Sequence, residues 1–325
     1  MLLSIGMILI GLVVLVWSAD MFVDGAAGVA RSLGMSTFLV GMIVIGFGTS
    51  APEMSVSVLS AMQGNPGLAL GNAYGSNITN IALILGVTAL ISPVVVRSQV
   101  LKKELPILLG VTFLAYFHLR DGQITRIEGI VELVVLLLVF TWMMLQSRSQ
   151  TPDIDPFEAD VEGALEKIKP MKAWGLLVAG LVLLVMSSRL LVVGAVDIAQ
   201  TFGVSDLIIG LTVIAIGTSL PELASSIAAA RKGEDDLAVG NIIGSNLFNT
   251  LAVVGLAGTI HPMQIPAEVL SRDWMVMLLL TLLLFVLGYS RKSLGENSIS
   301  RVGGGLLLTI YIGYTYYLIA GVLQN

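Results

Sequence analysis

Two glutamates, Glu53 and Glu222, have the surroundings in which a carboxylate does chemistry. Glu53 is the only charged residue between Ser32 and Val96 and sits near the middle of an apolar stretch, and Glu222 holds the corresponding place in a later one. A charge at such a position is costly and usually faces a partner, a bound cation or a water-filled cavity. Each has a hydroxyl four residues earlier, Thr49 and Thr218, so hydroxyl and carboxylate share one helical face. The next apolar stretch after each adds Asn72, Ser76 and Asn80, then Asn241, Ser245 and Asn249, again spaced by four. The plainer use of such a stripe is hydrogen bonding between helices. Pro52 and Pro221 lack the N–H that would bond the carbonyl four residues back, which predicts free carbonyls at Gly48 and Gly217. Every donor in the set is oxygen. Two carboxylates with hydroxyl, amide and carbonyl oxygens suit a hard cation taking 6–8 oxygens at roughly 2.3–2.6 Å, which describes calcium, and Na⁺ fits the same cage. With no cysteine and only two histidines, His118 and His261, the chain lacks the means for disulfides, Cys/His zinc sites and thiol or Ser-His catalysis.

The elements that must hold these residues are membrane helices. Hydrophobic residues make up 56% and charged residues 12% of the 325, against roughly 25% charged in soluble domains, and mean hydropathy is +0.93. A net charge of -5 spread over loops argues against nucleic-acid binding. Apolar runs predict an all-α polytopic membrane protein with ten transmembrane helices, at 2–31, 36–63, 67–91, 99–119, 125–147, 171–200, 205–231, 236–260, 268–289 and 299–322. The run from Leu2 to Trp17 reads as a retained helix. Residues 148–170, rich in acid, read as a cytoplasmic linker between five-helix units at 1–147 and 171–325. With both termini outside, the inner loops hold 13 of the 17 lysines and arginines, as the positive-inside rule requires. Asp20, Asp24, Arg189 and Asp197 are expected near interfaces or paired locally, His118 and His261 at the surface, and Tyr311, Tyr314, Tyr316 and Tyr317 in an interfacial belt.

The two units are copies. At a constant offset of 169 residues, 18–80 matches 187–249 at 26 of 63 positions without a gap, the motif segments being 41–80 and 210–249. Five spans per unit is an odd number, so the second copy enters the membrane upside down relative to the first. Inverted pairs of this kind are common among secondary transporters, with the site near the midplane where the copies meet. The GxxxG glycines of GNAYG and GNIIG predict close helix approach.

The paired GTSAPE and GTSLPE, each followed by GNxxGSNxxN, resemble the alpha-repeats of sodium/calcium exchangers in the calcium/cation antiporter superfamily, most of all its small prokaryotic members. The resemblance implies an antiporter exchanging sodium for calcium by alternating access. Glu53 and Glu222 would be central calcium ligands. Thr49, Ser50, Ser76, Asn80, Thr218, Ser219, Ser245 and Asn249 would complete calcium and sodium sites, and Gly46 and Ala215 would add backbone carbonyls. Asn249 stands where potassium-dependent members carry an acid, which disfavours potassium coupling. It also leaves the two glutamates as the only strong titratable groups at the midplane, and protons should compete with calcium there. Spans one and six would slide as a gating pair. The ions are Ca²⁺ and Na⁺, with no cofactor, no obligatory protein partner and a prokaryotic plasma membrane as the setting. The alternative is a calcium or other cation/proton exchanger, which sodium dependence discriminates. A passive channel would conduct without a counter-ion, and an intramembrane hydrolase would need a histidine near the motifs, where none occurs.

Overall fold

The computed structural model describes residues 1–64, 66–149, 169–202, 215–289, 292–293 and 296–323. The acidic linker at 150–168 and the start of the seventh predicted span, with the first residues of the second motif segment, lie outside the described residues. The chain is helical nearly throughout. In order come α1 (Leu2–Leu33), α2 (Thr37–Thr49), α3 (Ala51–Met62), α4 (66–91), α5 (100–119), α6 (Arg126–Ser149), α7 (Pro170–Thr201), α8 (Ala215–Thr218), α9 (Leu220–Arg231), α10 (Asp235–Ile260), α11 (Val269–Tyr289) and α12 (Arg301–Leu323). Among the described residues, seven helices are long and apolar enough to cross a membrane, or eight if α2 and α3, bent by 45° at Ser50, count as one. Helix α5 is also apolar but opens on Lys102, Lys103 and Glu104.

Short strands, which an all-helical reading does not anticipate, join the ends of the helices. Val94–Val95 (β1) pairs antiparallel with Glu296–Ile299 (β5), Val94 opposite Ile299. Gln123–Ile124 (β2) pairs with Met263–Gln264 (β3), Gln123 opposite Gln264, and Lys292–Ser293 (β4) completes a hairpin with β5. Each unit thus lends a loop to the other.

Local structure repeats at the offset seen in the sequence. A wide, π-helical turn at Thr79–Ile84 recurs at Phe248–Val253, and another at Val100–Glu104 recurs at Val269–Trp274. Ala51–Met62 recurs as Leu220–Arg231. Such turns insert a residue into the helical ladder and often mark functional positions.

Glycine sets how closely the helices meet. Helices α1 and α7 run antiparallel: Gly25 lies against the backbone of Leu177, Gly180 against that of Phe22, Gly11 against Leu191, and Gly194 against Ser4. These contacts come in pairs that exchange under the offset of 169, Gly11 with Gly180 and Gly25 with Gly194. The Ser4 hydroxyl donates to Asp197 at one end of the pair. At the other, Lys232 ties α1 to the end of α9 through Asp24, 2.7 Å away, and the Asp20 carbonyl, 2.9 Å away. The other tight seam joins α2 to α10, where Gly240 meets the Phe38 carbonyl and Gly244 meets Met42. This is the predicted GxxxG role for the second copy.

A Cβ at Gly180 would stand 2.7 Å from the Phe22 backbone, whereas Gly175 on the same helix has open space. Gly180→Ala should therefore destabilise the detergent-solubilised protein by about 1–3 kcal/mol, seen as a lower melting temperature. Gly175→Ala should leave it unchanged or slightly raised.

Candidate ion site at two broken helices

The TSxPE segments form the same local structure twice. The helix stops at Thr49 and restarts at Ala51, and likewise at Thr218 and Leu220, with Ser50 (φ −81°, ψ 1°) and Ser219 (φ −91°, ψ 5°) between. Proline explains the restart: at the second position of the new helix its missing N–H costs no intrahelical bond and its fixed φ suits the first turn. The following residue, Glu53 or Glu222, therefore stands in the first turn of a half-helix, where the positive end of the peptide dipoles favours a carboxylate. Both glutamates are buried, each about 1% exposed.

The site is drawn from both units. Glu53 and Glu222 lie close enough to repel each other, the Thr218 hydroxyl faces Glu53, and Thr49 faces Glu222. Ser50 donates to Glu222 Oε1 at 3.5 Å. Polar atoms buried inside proteins are nearly always hydrogen-bonded. Here Glu53 Oε1 and Oε2, Glu222 Oε2, Ser219 Oγ, Asn80 Oδ1 and Asn249 Oδ1 are buried without a protein partner. All six are oxygens, three of them carboxylate, the donor type that calcium takes. Among the described residues no group of three or more His, Cys, Asp or Glu forms a metal cluster.

The remaining predicted residues divide by role. Ser76 and Ser245 are buried, and Ser245 donates to Asn241 Oδ1 at 3.5 Å. The Gly46 carbonyl accepts the Ser50 N–H at 3.1 Å and keeps a second lone pair. Ala215 begins α8 and is described by its backbone alone. Asn72 and Asn241 are braces: Asn72 donates to the Glu53 carbonyl and Ser57, and Asn241 donates to the Glu222 carbonyl, Ser225 and Ser226. Asn241 also accepts from Thr49 of the other unit at 3.2 Å.

Several expectations need correction. The Gly217 carbonyl is not free, because Ser188 on α7 donates to it at 2.8 Å. The counterpart of Ser188 in the first unit is Ala19, which has no hydroxyl for Gly48. His118 is not a surface residue: it is buried and its Nδ1 lies 3.0 Å from Glu132 Oε1 on α6, a further carboxylate about 1% exposed. Tyr314 leaves the interfacial belt to donate to Asp273 at 2.8 Å. Sequence reading also passed over Asn77 and Asn246. Asn77 donates to Thr250 at 2.8 Å, and the Asn80 amide donates to Asn246 Oδ1 at 3.0 Å, joining α4 to α10. The signal was present, since both asparagines belong to the duplicated GSN.

The family described as sodium/calcium exchanger protein matches residues 3–146 and 172–320. The chain belongs to this family. It is 48% identical to a putative antiporter, CaxA, of Alkalimonas amylolytica over 96% of this chain and 97% of the relative. It is 40% identical to the inner membrane protein YrbG of Escherichia coli over 98% of each. The fold is close to that of a solved sodium-calcium exchanger, NCX_Mj soaked in Na⁺ without Ca²⁺, with a TM-score of 0.81 at 30% identity over 96% of this chain and 97% of the other. A polytopic membrane antiporter is the class to which the chain's relatives assign it, and these relatives are transporters rather than enzymes.

Asn241→Leu leaves the Glu222 carbonyl, two serines and Thr49 without their amide. At about 1–3 kcal/mol for unsatisfied buried groups, calcium affinity measured by titration calorimetry should fall roughly 10- to 100-fold.

Proposed function

We propose that this chain exchanges sodium for calcium by alternating access at one midplane site centred on Glu53 and Glu222. The observation that carries the reading is the set of six buried, unpartnered oxygens supplied by both copies of the motif. Two carboxylates that repel each other in a buried site are stabilised together by a divalent cation, or separately by monovalent ones. That is the electrostatic basis for mutual exclusion of Ca²⁺ and Na⁺. Thr49, Ser50, Ser76, Asn80, Thr218, Ser219, Ser245 and Asn249, with the carbonyls of Gly46 and Ala215, complete the sites for both ions.

The architecture proposed for the exchanger is ten spans in two inverted five-helix repeats, 1–147 and 171–325, joined by a cytoplasmic linker at 148–170, with both termini outside a prokaryotic inner membrane. The antiparallel glycine contacts of α1 and α7, exchanged under the offset of 169, support the inversion. Polar contacts between distant segments support which loops share a face, the positive-inside count being what assigns that face to the cytoplasm. Arg97 pairs with Asp236, and Lys232 with Asp24, within the face assigned to the cytoplasm; Arg126 bonds the Thr259 carbonyl, and Ser4 bonds Asp197, within the external face. Helices α1 and α7 pack chiefly on each other and touch the broken helices, a placement suited to a gating pair that slides past the site.

Calcium uptake into sodium-loaded proteoliposomes tests the reading. Uptake should require the outward sodium gradient and vanish in Glu53→Gln and Glu222→Gln. Lowering the pH from about 8 to about 5 should raise the calcium concentration needed for half-maximal uptake, because a buried carboxyl holds either a proton or the metal. Uptake that follows a proton gradient regardless of sodium would make the proton the coupling ion, and normal transport by both variants would place the site elsewhere.

A further inference from the structure

Away from the ion site, the first unit holds a second buried polar cluster. Glu132 lies on α6 about 9 Å from the start of that helix, with its Cβ against Gly255 of α10. Its Oε1 is 3.0 Å from His118 Nδ1 at the end of α5, and its Oε2 is buried without a partner. The Tyr74 phenol on α4, fully buried and likewise unpartnered, interacts electrostatically with Glu132. His118 itself is about 8% exposed, so the cluster sits at the margin between core and solvent.

None of this belongs to the duplicated machinery. Under the offset of 169, His118 and Tyr74 correspond to Leu287 and Ile243, and the place of Glu132 against Gly255 is taken in the other copy by Leu307 against Gly86, so the pair is peculiar to one end of the molecule. It is the end that carries Arg120, Asp121, β2 and β3, the external face in the orientation proposed above. A carboxylate this deeply buried is tolerated only if neutral or paired. Together His118 and Glu132 meet that condition by holding one proton between them, as imidazolium with carboxylate or as imidazole with carboxylic acid. Losing that proton leaves a net negative charge among α4, α5, α6 and α10.

The surroundings do not supply a basic substitute. The other titratable groups that interact with the pair are Glu128 from α6, Asp121 from the turn after α5 and Tyr74 from α4. Glu128 is engaged with the Thr125 N–H and hydroxyl. Of the nearby cations, Arg126 bonds the Thr259 and Ile260 carbonyls at the end of α10, and Arg120 lies over the Phe117 ring.

We propose that His118 and Glu132 form a proton-binding site distinct from the ion centre, and that its occupancy sets the exchange rate in response to external pH. The route to the ion site is short. Tyr74 lies on α4 between Asn72, which braces Glu53, and Ser76, and Glu132 packs on α10, which carries Ser245 and Asn249. The singly protonated pair holds these helices in their packed arrangement, and deprotonation loosens it. The proposal rests on the exchange reading for its transport readout but not for its spectroscopic one.

With His118 and His261 the only histidines, ¹⁵N-histidine NMR of His261→Gln protein reports His118 alone. Its imidazole signal should titrate between about pH 5 and about pH 9, and Glu132→Gln should move the midpoint by about one unit or more. In proteoliposomes, sodium-driven calcium uptake should fall about threefold or more as external pH rises from about 7 to about 9. Glu132→Gln, in which loss of the imidazole proton leaves a neutral pair and not an anionic one, should retain uptake near neutrality and lose this alkaline decline. A His118 signal unaffected by Glu132→Gln, or an alkaline decline that persists in both Glu132→Gln and His118→Gln, overturns the proposal. If these variants do not fold, a wild-type-background His118 signal that is invariant across the range overturns it. Absence of sodium-driven uptake with an intact NMR titration would count against the exchange reading and leave the proton site standing.

Discussion

The proposed exchange depends on keeping two buried carboxylates, Glu53 and Glu222, ionisable within a membrane protein. A lone buried glutamate would take up a proton. The chain instead breaks a helix at the serine of each TSxPE segment, so that each glutamate stands in the first turn of a new half-helix. The break exposes N–H groups, turns the peptide dipoles toward the carboxylate and leaves oxygens unpaired. Those features are expensive in lipid and are tolerated where backbone and side chains are shielded by protein or line an ion pathway. The same arrangement made twice gives two negative charges, which is what one divalent or two monovalent cations need.

Holding such a site while letting it open requires rigidity on one side and compliance on the other. The seam between α2 and α10 is rigid: Gly240 and Gly244 bring backbones into contact, and Asn241 bonds both units. The α1 and α7 pair is built differently. Its glycine-notched surfaces pack against each other, and its polar ties to the rest include Lys232 at one end and the Ser188 hydroxyl on the Gly217 carbonyl.

Much of this was legible in the sequence because its signals are local or periodic. A single acid in 65 residues of apolar sequence marks Glu53, the offset of 169 marks its copy, and proline marks the break between Thr49 and Ala51. The cooperation of the stripes was readable only in part. Asn72 and Asn241 follow the same spacing as the ligand candidates, yet they brace carbonyls, a difference that depends on how far α4 and α10 stand from the broken helices. Glu132 and His118 escaped because their partnership joins two helices 14 residues apart in sequence, and either residue alone resembles an interfacial group. Ser188 escaped for the same reason: its acceptor belongs to a helix 29 residues away. The short strands and π-helical turns leave no composition signal at all.

The central claim is that one site serves both ions. Equilibrium binding of ⁴⁵Ca²⁺ to the purified protein at increasing Na⁺ measures it without requiring transport. A shared centre predicts that Na⁺ raises the apparent Kd for calcium while the number of calcium sites per chain stays constant. A fall in the number of sites at unchanged Kd, or calcium binding indifferent to Na⁺, would contradict it.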